Sequence, residues 1–382
     1  KGISLFIVPK KLVDTQGQLT GERNDVALAG LNHKLGWRGT TNTLLNFGEG
    51  KYPVRGEQGG GLDGRGAGAI GYLVGKPGEG LKCMFHMMNE ARIAIGMAAS
   101  MLGMAGYHAS LEYAQSRPQG RPIGGGGKDA SKPQSRIIEH ADVKRMLLAQ
   151  KAYCEGALAL NLLCAKLVDE QYTGEGEQAA EAKLLLEVLT PIAKSWPSEF
   201  CLEANSLAIQ IHGGYGYTRD FAVEQYWRDN RLNMIHEGTH GIQAMDLLGR
   251  KVIMDGGKGL QLLAARINAT IQKALQQAKL STYANQLARA LADVGSTTKA
   301  AWATDNPQEA LANAVPYMQA FGHVVLGWIW LDVALAVLAK DEGLAIAAHR
   351  GSMAAQRYFF HYELPRIGAW LQVVKARDMT CA

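Results

Sequence analysis

The sequence predicts a mainly α-helical protein that begins with a partial β-domain and continues as a helical bundle with an additional helical domain at the C-terminal end. Residues 1–77 are rich in glycine and contain short apolar and β-branched runs, which are typical of strands and turns. From about Gly80, apolar residues recur at helical spacing as far as the C terminus. The predicted domains are residues 1–77, 78–253 and 254–382.

Composition excludes several classes of function. The chain has 382 residues, enough to bury a large core, and a formal charge of +5 without any run of Lys or Arg longer than two. We therefore expect no nucleic-acid partner. The five cysteines are irregularly spaced and form no Cys/His ligand pattern, so we expect neither a disulfide framework nor a metal site. Free cysteines are consistent with a reducing, cytoplasmic setting.

The N-terminal region predicts strands at Ile3–Val8 and Asn42–Phe47. The segment Gly56–Gly71 is dense in glycine and admits two interpretations. A phosphate-binding loop is disfavoured, because the segment has no Walker lysine pattern and does not connect a strand to a helix. Hairpin turns and a flexible loop are the favoured interpretation.

Three long helices are predicted next, at Leu81–Gln115, Ile137–Tyr172 and Ala179–Ile211. The first carries an apolar stripe that we predict to be core: Met84, Met87, Met88, Ala91, Ile95, Ala98 and Leu102. Arg117-Pro118 ends this helix, and Gly124–Gly127 begins a predicted flexible insertion. The third helix is expected to be interrupted near Pro191 and Pro197, since proline removes a helical hydrogen bond.

Asn89 and Arg92 are spaced i, i+3 on the first helix and are predicted to share one face. A buried arginine needs an anionic partner, which a bound ligand could supply. The alternative is a surface arginine that pairs with Glu90 or Glu79.

The third helix ends in Gln210-Ile211-His212-Gly213-Gly214-Tyr215-Gly216. A glycine after a helix is typical of a C-terminal cap. Three glycines within four residues exceed the needs of a cap, and they would let a ligand approach the backbone closely.

Glu237 lies between His236 and Gly238-Thr239, just before a predicted helix that contains Ile242, Met245, Leu248 and Lys251. We predict that Thr239 is the N-cap and that its hydroxyl accepts from backbone N–H groups. Glu237, walled by apolar residues, would serve as a base. The alternative is a first-turn acid that stabilises the helix dipole.

After Val252, the segment Met254–Gly259 reads as a linker. The predicted C-terminal helices are Leu260–Val294, Pro307–Lys340, Leu344–Phe360 and a short one after Pro365. The apolar run Gly322–Ala339 is nearly long enough to span a bilayer, but Asp332 in its centre favours a buried core helix over a transmembrane segment.

The segments HEGTHGIQ, QIHGGYGYTRD and YWRDNRL resemble the C-terminal part of the acyl-CoA dehydrogenases, and motifs from Lys1 to about Val252 come in that family's order. The resemblance implies a flavoenzyme in which Glu237 removes the α-proton of an acyl-CoA and the β-hydride passes to N5 of FAD. Electrons would go to an electron-transfer flavoprotein, in fatty acid β-oxidation. It also implies that GISLFIVPK lies inside the β-domain, so we expect the chain to lack its natural N-terminal part.

The same resemblance assigns residues to the site. The implied substrate-binding residues are Asn89, Arg92, His236 (a tyrosine in the family pattern) and Gly238. The implied FAD-binding residues are Arg117, Gln119, His140, Gln210, Gly213, Gly214, Thr239 and Gly241. In the family, Arg117 and the glycine pair reach the FAD of a neighbouring subunit, which implies a homodimer or a dimer of dimers. From the sequence alone, a histidine at position 140 is more typical of a packed core residue.

The C-terminal helices resemble those of the subgroup that includes 3-methylmercaptopropionyl-CoA dehydrogenases and some broad-range fatty acyl-CoA dehydrogenases. Two alternatives stay open at this point. An acyl-CoA oxidase shares the fold and the base but passes electrons to oxygen. A helical fragment without the N-terminal flavin site would be catalytically incompetent.

Overall fold

The computed structural model describes residues 2–54, 68–121, 123–124, 127–340 and 344–382. The chain forms two compact units, Lys1–Asn89 and Glu90–Ala382. Most of the glycine-rich segment Gly56–Gly71 lies outside the described residues, so neither interpretation of it is tested. The predicted domain boundaries at residues 77/78 and 253/254 stay predictions.

The first unit contains three antiparallel strand pairs. Its strands are β1 (Leu5–Ile7), β2 (Lys11–Val13), β3 (Leu19–Arg23), β4 (Val26–Leu31), β5 (Thr43–Phe47) and β6 (Tyr72–Val74). The pairs are β1 with β6, β2 with β3, and β4 with β5. The two predicted strands are confirmed as β1 and β5. In the second unit, β7 (Ile123–Gly124) and β8 (Gly127–Lys128) form a short pair where an insertion was predicted.

Helices make up most of the second unit, and α1 begins in the first. They are α1 (Gly80–Ser116), α2 (Ala141–Thr173), α3 (Glu177–His212), α4 (Val223–Asn230), α5 (His240–Asp246), α6 (Met254–Leu275), α7 (Ser281–Ala301), α8 (Pro307–Leu311), α9 (Ala314–Leu338), α10 (Ala347–Tyr358) and α11 (Ile367–Ala376). Short 3₁₀ turns at Ile137–Glu139, Gly213–Tyr217 and Arg231–Met234 connect several of them. The predicted mainly helical class is confirmed.

The buried face of α1 is formed by small residues, and the predicted methionine core stripe is wrong. Met87 is 69% exposed and Met84 is 39% exposed. A Cβ added to Gly96 would overlap the carbonyl oxygen of Ala193 on α3, and one added to Gly103 would lie 2.8 Å from Sγ of Cys154 on α2. Small side chains therefore let α1 approach α2 and α3 more closely than methionine would allow.

Gly96→Ala is expected to lower the free energy of unfolding by about 2–3 kcal/mol, because its methyl group would collide with a rigid backbone carbonyl. Gly295→Ala, inside α7, is the matched control: nothing lies within 4 Å of its Cβ position. Alanine favours the helix there, so this change should stabilise by about 0.5–1 kcal/mol. Chemical denaturation measures both. Equal stability of the two variants would contradict the close approach of α1 to α3.

Helix α3 continues through both of its prolines, so the predicted interruptions are wrong. Pro197 leaves the carbonyl of Ala193 without its helical partner. Asn161 on α2 donates from Nδ2 to that carbonyl over 3.0 Å. Next to the proline, Ser198 Oγ donates to the carbonyl of Lys194 over 2.6 Å. The Asn161 side chain thus replaces the hydrogen bond that Pro197 removes from α3.

The predicted linker after Val252 is a break of three residues, Asp255, Gly256 and Gly257, all with positive φ. The single helix predicted for Leu260–Val294 is wrong, because the chain turns at Gln277–Leu280 between α6 and α7. Helix α9 has a mean hydropathy of 1.9 over its most apolar window, and 67% of that window is buried inside the protein. Asp332 is exposed, as expected for a core helix with one polar edge.

Candidate active site

Glu237 lies on a left-handed turn between the 3₁₀ turn Arg231–Met234 and α5. Its φ is +53°, which is uncommon for a residue with a Cβ, and the φ of Gly238 is +89°. A Cβ on Gly238 would lie 2.5 Å from Nε2 of Gln243, so only glycine fits there. The predicted position just before a helix is confirmed. Thr239 is the N-cap of α5, but the predicted side-chain capping bond is wrong.

Two buried side chains hold this turn by its backbone. Gln243 Nε2 donates to the carbonyl of Glu237 over 3.0 Å, and Lys194 Nζ donates to the carbonyl of Gly238 over 2.6 Å. Gln243 and Lys194 are both 0% exposed. The Glu237 side chain is exposed, so among the described residues the predicted apolar wall is wrong. The turn is fixed while the carboxylate points outward.

Lys194 was not identified from the sequence. Burial and, to a smaller extent, the nearby Arg92 lower the pKa of its ammonium group, Glu237 opposes the shift, and the resulting pKa is about 8. The detectable signal was a lysine inside the apolar segment PIAKSWP, where a solvated charge is not expected. The hydrogen bond from its ammonium group to the Gly238 carbonyl explains why this lysine is buried.

Arg92 is buried, with 4% exposure, and NH1 lies 3.2 Å from Oδ2 of Asp246. Asp246 also accepts from Arg250 Nε over 3.0 Å. The anionic partner expected for a buried arginine therefore includes Asp246 of the same chain, and the surface alternative is wrong. Asn89 is exposed, so the two residues do not share an environment. Their roles in substrate binding stay predictions.

His236 is half-buried beside Glu237, with Nε2 lying 3.0 Å from Oδ1 of Asn233. Burial lowers its pKa below 6.5 and Lys194 lowers it further, whereas Glu237 raises it. The imidazole is therefore neutral at neutral pH, and among the described residues Glu237 and Lys194 are the charged groups that shift its pKa.

A cavity of about 480 Å³ brings together part of the predicted cofactor set. Its lining residues are Tyr113, Arg117, Gln119, Ile137, Ile211, His212, Gly213, Gly214, Tyr215 and Thr218. The C-terminal ends of α1 and α3 meet here, which places Arg117, Gln119 and the glycine pair around one space. Arg117 is half-buried, and its NH1 donates to the carbonyl of Pro118 over 2.8 Å.

The three positions after α3 that carry glycine differ in whether, and why, the structure requires it. Gly213 has a φ of +61° and donates its N–H to the carbonyl of Gln210, so it caps the helix. Gly216 packs against the carbonyl of Ile209, leaving no space for a side chain. Gly214 has no positive φ and nothing within 4 Å of its Cβ position. Neither conformation nor packing within the chain requires a glycine at 214.

Aromatic side chains form one wall of the cavity and were missed in the sequence. The rings of Tyr113 and His212 stack with centroids 4.4 Å apart, and Phe221 meets both edge-on. His212 donates from Nδ1 to the carbonyl of Ala208 over 2.8 Å, and burial lowers its pKa. The wall is therefore neutral and planar, and the cationic group of the cavity is Arg117.

The remaining predicted cofactor residues lie elsewhere. His140 is half-buried, and its Nε2 lies 2.7 Å from the carbonyl oxygen of Gln119, which places it beside the cavity rather than in the core. Gln210 contributes its carbonyl to the cap, and its exposed side chain does not line the cavity. Thr239 is the N-cap of α5 and Gly241 lies in the first turn of that helix, and neither residue lines this cavity.

Two family profiles match most of the helical part of this chain. Residues 128–253 match the family profile described as acyl-CoA dehydrogenase, C-terminal domain. Residues 263–382 match the profile described as acetyl-CoA dehydrogenase C-terminal like. The chain belongs to the acyl-CoA dehydrogenase family. The family resemblance predicted from the Glu237 segment is confirmed, including the subgroup, as the relatives show.

The chain is 36% identical over 351 residues to 3-methylmercaptopropionyl-CoA dehydrogenase of Ruegeria pomeroyi, covering 90% of this chain and 55% of that protein. It is 31% identical to the broad-specificity linear acyl-CoA dehydrogenase FadE5 of Mycobacterium tuberculosis, covering 99% of this chain and 62% of the relative. The chain thus spans less than two thirds of the length of these acyl-CoA dehydrogenases.

Solved structures share the fold. An acyl-CoA dehydrogenase from Bacillus anthracis, complexed with FAD, gives a TM-score of 0.69 at 16% identity, covering 97% of this chain and 60% of that one. ACDH-11 of Caenorhabditis elegans, in complex with C11-CoA, gives 0.66 at 17% identity with the same coverages. The acyl-CoA dehydrogenase fold is therefore established for nearly the whole of this chain.

Proposed function

We propose that the protein containing this chain is an FAD-dependent acyl-CoA dehydrogenase that converts an acyl-CoA thioester to the trans-2-enoyl-CoA, with Glu237 as the base. The observation that carries the proposal is the Glu237 turn. A carboxylate is exposed for a ligand while Lys194 and Gln243 fix the carbonyls on either side of the Glu237–Gly238 bond. A strained backbone held by buried partners is typical of functional sites.

In the proposed reaction, an Oε atom of Glu237 takes the α-proton of the thioester. That proton is weakly acidic, so abstraction requires stabilisation of the negative charge that develops on the thioester oxygen. By resemblance, the backbone N–H of Glu237 supplies part of that stabilisation. A bound acyl chain would also cover the exposed carboxylate and exclude water from it. Fixing the turn in advance keeps the base at the reacting carbon.

The cavity at Arg117 fits part of a dinucleotide cofactor. Its volume lies in the range of ligand sites, and Arg117 supplies a guanidinium group whose geometry suits phosphate. The fold does not require a glycine at 214, and the absence of a side chain there leaves open space for a ligand. We propose that Arg117, Gln119, Gly213 and Gly214 hold FAD, with His140 positioning Gln119. When bound, FAD supplies the acceptor for the β-hydride. The FAD named with the Bacillus anthracis structure is consistent with this assignment.

The remaining parts of the proposal rest on resemblance. Electrons would pass to an electron-transfer flavoprotein within fatty acid β-oxidation. A homo-oligomer is supported by the cavity residues, which in the family face a neighbouring subunit's FAD. The described cysteines are free thiols, which is consistent with the cytoplasm. By the same resemblance, residues 254–382 form the additional helical domain.

The test is the visible absorption of the purified full-length protein. A flavin band that acyl-CoA bleaches under anaerobic conditions supports the dehydrogenase. If the reduced flavin then turns over rapidly with oxygen alone, the protein is an oxidase instead. A full-length protein that retains no FAD after reconstitution contradicts the proposal, because the motifs would then be present without the enzyme.

Arg117→Ala is expected to weaken FAD binding by about 10- to 100-fold, since a charge-assisted hydrogen bond to phosphate contributes about 1.5–3 kcal/mol. With FAD saturating, the rate of proton abstraction should not change. Arg121→Ala is the matched control, because Arg121 lies outside the cavity lining and donates from Nε to the carbonyl of Lys132. Flavin fluorescence on dilution measures both affinities. Equal affinities in the two variants would remove Arg117 from the cofactor site.

A further inference from the structure

Three buried asparagines connect α1 to His236 through one continuous chain of hydrogen bonds. Asn205 Nδ2 donates to the carbonyl of Leu102 over 2.9 Å. Asn230 Nδ2 donates to Oδ1 of Asn205 over 2.7 Å, and Asn233 Nδ2 donates to Oδ1 of Asn230 over 2.9 Å. The chain ends at His236 Nε2, 3.0 Å from Oδ1 of Asn233. All three asparagines are 0% exposed.

Backbone carbonyls, which can only accept, orient the amides of Asn205 and Asn230, and Asn230 in turn orients the amide of Asn233. The carbonyl of Leu102 requires the NH₂ group of Asn205. The carbonyl of Ala99 independently requires the NH₂ group of Asn230, over 3.2 Å. The oxygen of Asn230 then faces Asn233 and must receive its NH₂ group. Only the oxygen of Asn233 is left for His236, so the ring must donate from Nε2.

We propose that Asn230 and Asn233 are positioning residues that hold His236 as its Nε2–H tautomer, so that the ring enters the active site as a neutral hydrogen-bond acceptor at Nδ1. The site in question rests on the proposed function. In a neutral imidazole one nitrogen donates and the other accepts. Among the residues that the structure describes, none hydrogen-bonds to Nδ1 of His236.

The charges around the ring agree with a neutral state. Lys194 on α3 and Glu237 on the same turn are the charged groups that act on His236. Burial and Lys194 lower its pKa, and together they outweigh the carboxylate. A proton on Nδ1 would place a second cation beside Glu237 in addition to Lys194. The amide chain and the lysine therefore act in the same direction.

This tautomer changes what position 236 offers to a substrate. The tyrosine of the family pattern carries a hydroxyl that can donate as well as accept. His236 held by Asn233 presents a lone pair and no N–H at Nδ1. The complementary group on a bound acyl-CoA is therefore a hydrogen-bond donor, such as an amide N–H or a hydroxyl.

The experiment is a long-range ¹H–¹⁵N NMR correlation on the full-length protein labelled with ring-¹⁵N histidine, without substrate. His236→Gln assigns the resonances of the ring. In the wild type we expect Nδ1 to be the acceptor nitrogen and Nε2 the protonated one, with an excess of roughly tenfold or more over the other tautomer. A wild-type ring with the proton on Nδ1, or an even mixture, overturns the proposal without any variant.

The variants test which residues fix the tautomer. Asn233→Leu removes the acceptor, and Asn230→Leu frees the amide of Asn233 to rotate, so both should bring the two tautomers towards equal populations. Asn205→Leu should keep the wild-type tautomer, because Ala99 still orients Asn230. Asn161→Leu is the matched control, an equally buried asparagine bonded to the carbonyl of Ala193. An unchanged tautomer in folded Asn233→Leu overturns the proposal.

The readout separates this proposal from the proposed function. The tautomer is measured without FAD turnover or substrate, so a protein that lacks dehydrogenase activity still gives the expected spectrum if the amide chain acts as described. Conversely, an active dehydrogenase whose His236 carries its proton on Nδ1 retains the proposed function and loses only this inference.

Discussion

Glu237→Gln is expected to lower the rate of flavin bleaching by acyl-CoA by about two to four orders of magnitude, the contribution typical of a general base. Glutamine has nearly the same shape but cannot take the α-proton. The backbone of the turn should stay in place, because Lys194 and Gln243 hold carbonyl groups and not the side chain of residue 237. FAD content and acyl-CoA binding should therefore remain close to those of the wild type.

Anaerobic stopped-flow absorption gives the bleaching rate, and the spectral change on binding a non-reacting acyl-CoA analogue gives the affinity. Glu175→Gln is the control for loss of one exposed glutamate, since Glu175 lies in the α2–α3 turn. If the Glu237→Gln protein bleaches at the wild-type rate, Glu237 is not the base. If the variant has instead lost its FAD, Glu237 maintains the structure of the site and is not shown to be the base.

The structure could be predicted from the sequence wherever its cause is local. The turn before α5 needs glycine at 238 because of its φ, and the glycine at 213 caps α3 for the same reason. Helical periodicity placed α1, α2 and α3 within a few residues. The FAD-binding roles of Arg117 and Gly214 were implied by the family resemblance, and the fold brings these two helix-end residues around one cavity.

Features that depend on distant segments were not predictable in this way. The methionines of α1 look like a core stripe, but the buried face is chosen by how closely Gly96 lets α3 approach. Asn161, far from Pro197 in sequence, repairs the hydrogen bond that would have ended α3. The prediction that apolar residues surround Glu237 was wrong because an apolar sequence neighbour such as Ile235 is itself exposed.

Lys194→Met is expected to reduce the bleaching rate by about 10- to 100-fold without unfolding the protein. Methionine fills a similar volume but cannot donate to the carbonyl of Gly238, so the left-handed turn at Glu237 loses one of its two restraints. A displacement of about 1 Å at a reacting group is enough for a loss of about 100-fold. Removing the buried ammonium group also removes the cost of burying its charge, which offsets the lost hydrogen bond, so activity and stability should separate.

The pH dependence of stability gives this variant a second signature. Burial, helped by Arg92, lowers the pKa of Lys194 to about 8 from 10.5 and outweighs the opposing effect of Glu237. Between these values the unfolded chain binds the proton and the folded protein does not. The wild type therefore gains stability relative to Lys194→Met as pH rises from about 8 to about 10.5. Chemical denaturation across that pH range measures the difference.

Lys251→Met is the matched control for the loss of a buried lysine. Lys251 also has a pKa of about 8, lowered by burial and by Arg92, but it pairs with Glu187, and among the described residues no hydrogen bond joins its side chain to the Glu237 turn. We expect it to lose more stability, because Glu187 is left without its partner, and less activity than Lys194→Met. If both lysine variants lose activity equally, the loss comes from removing any buried lysine, and Lys194 does not position the base.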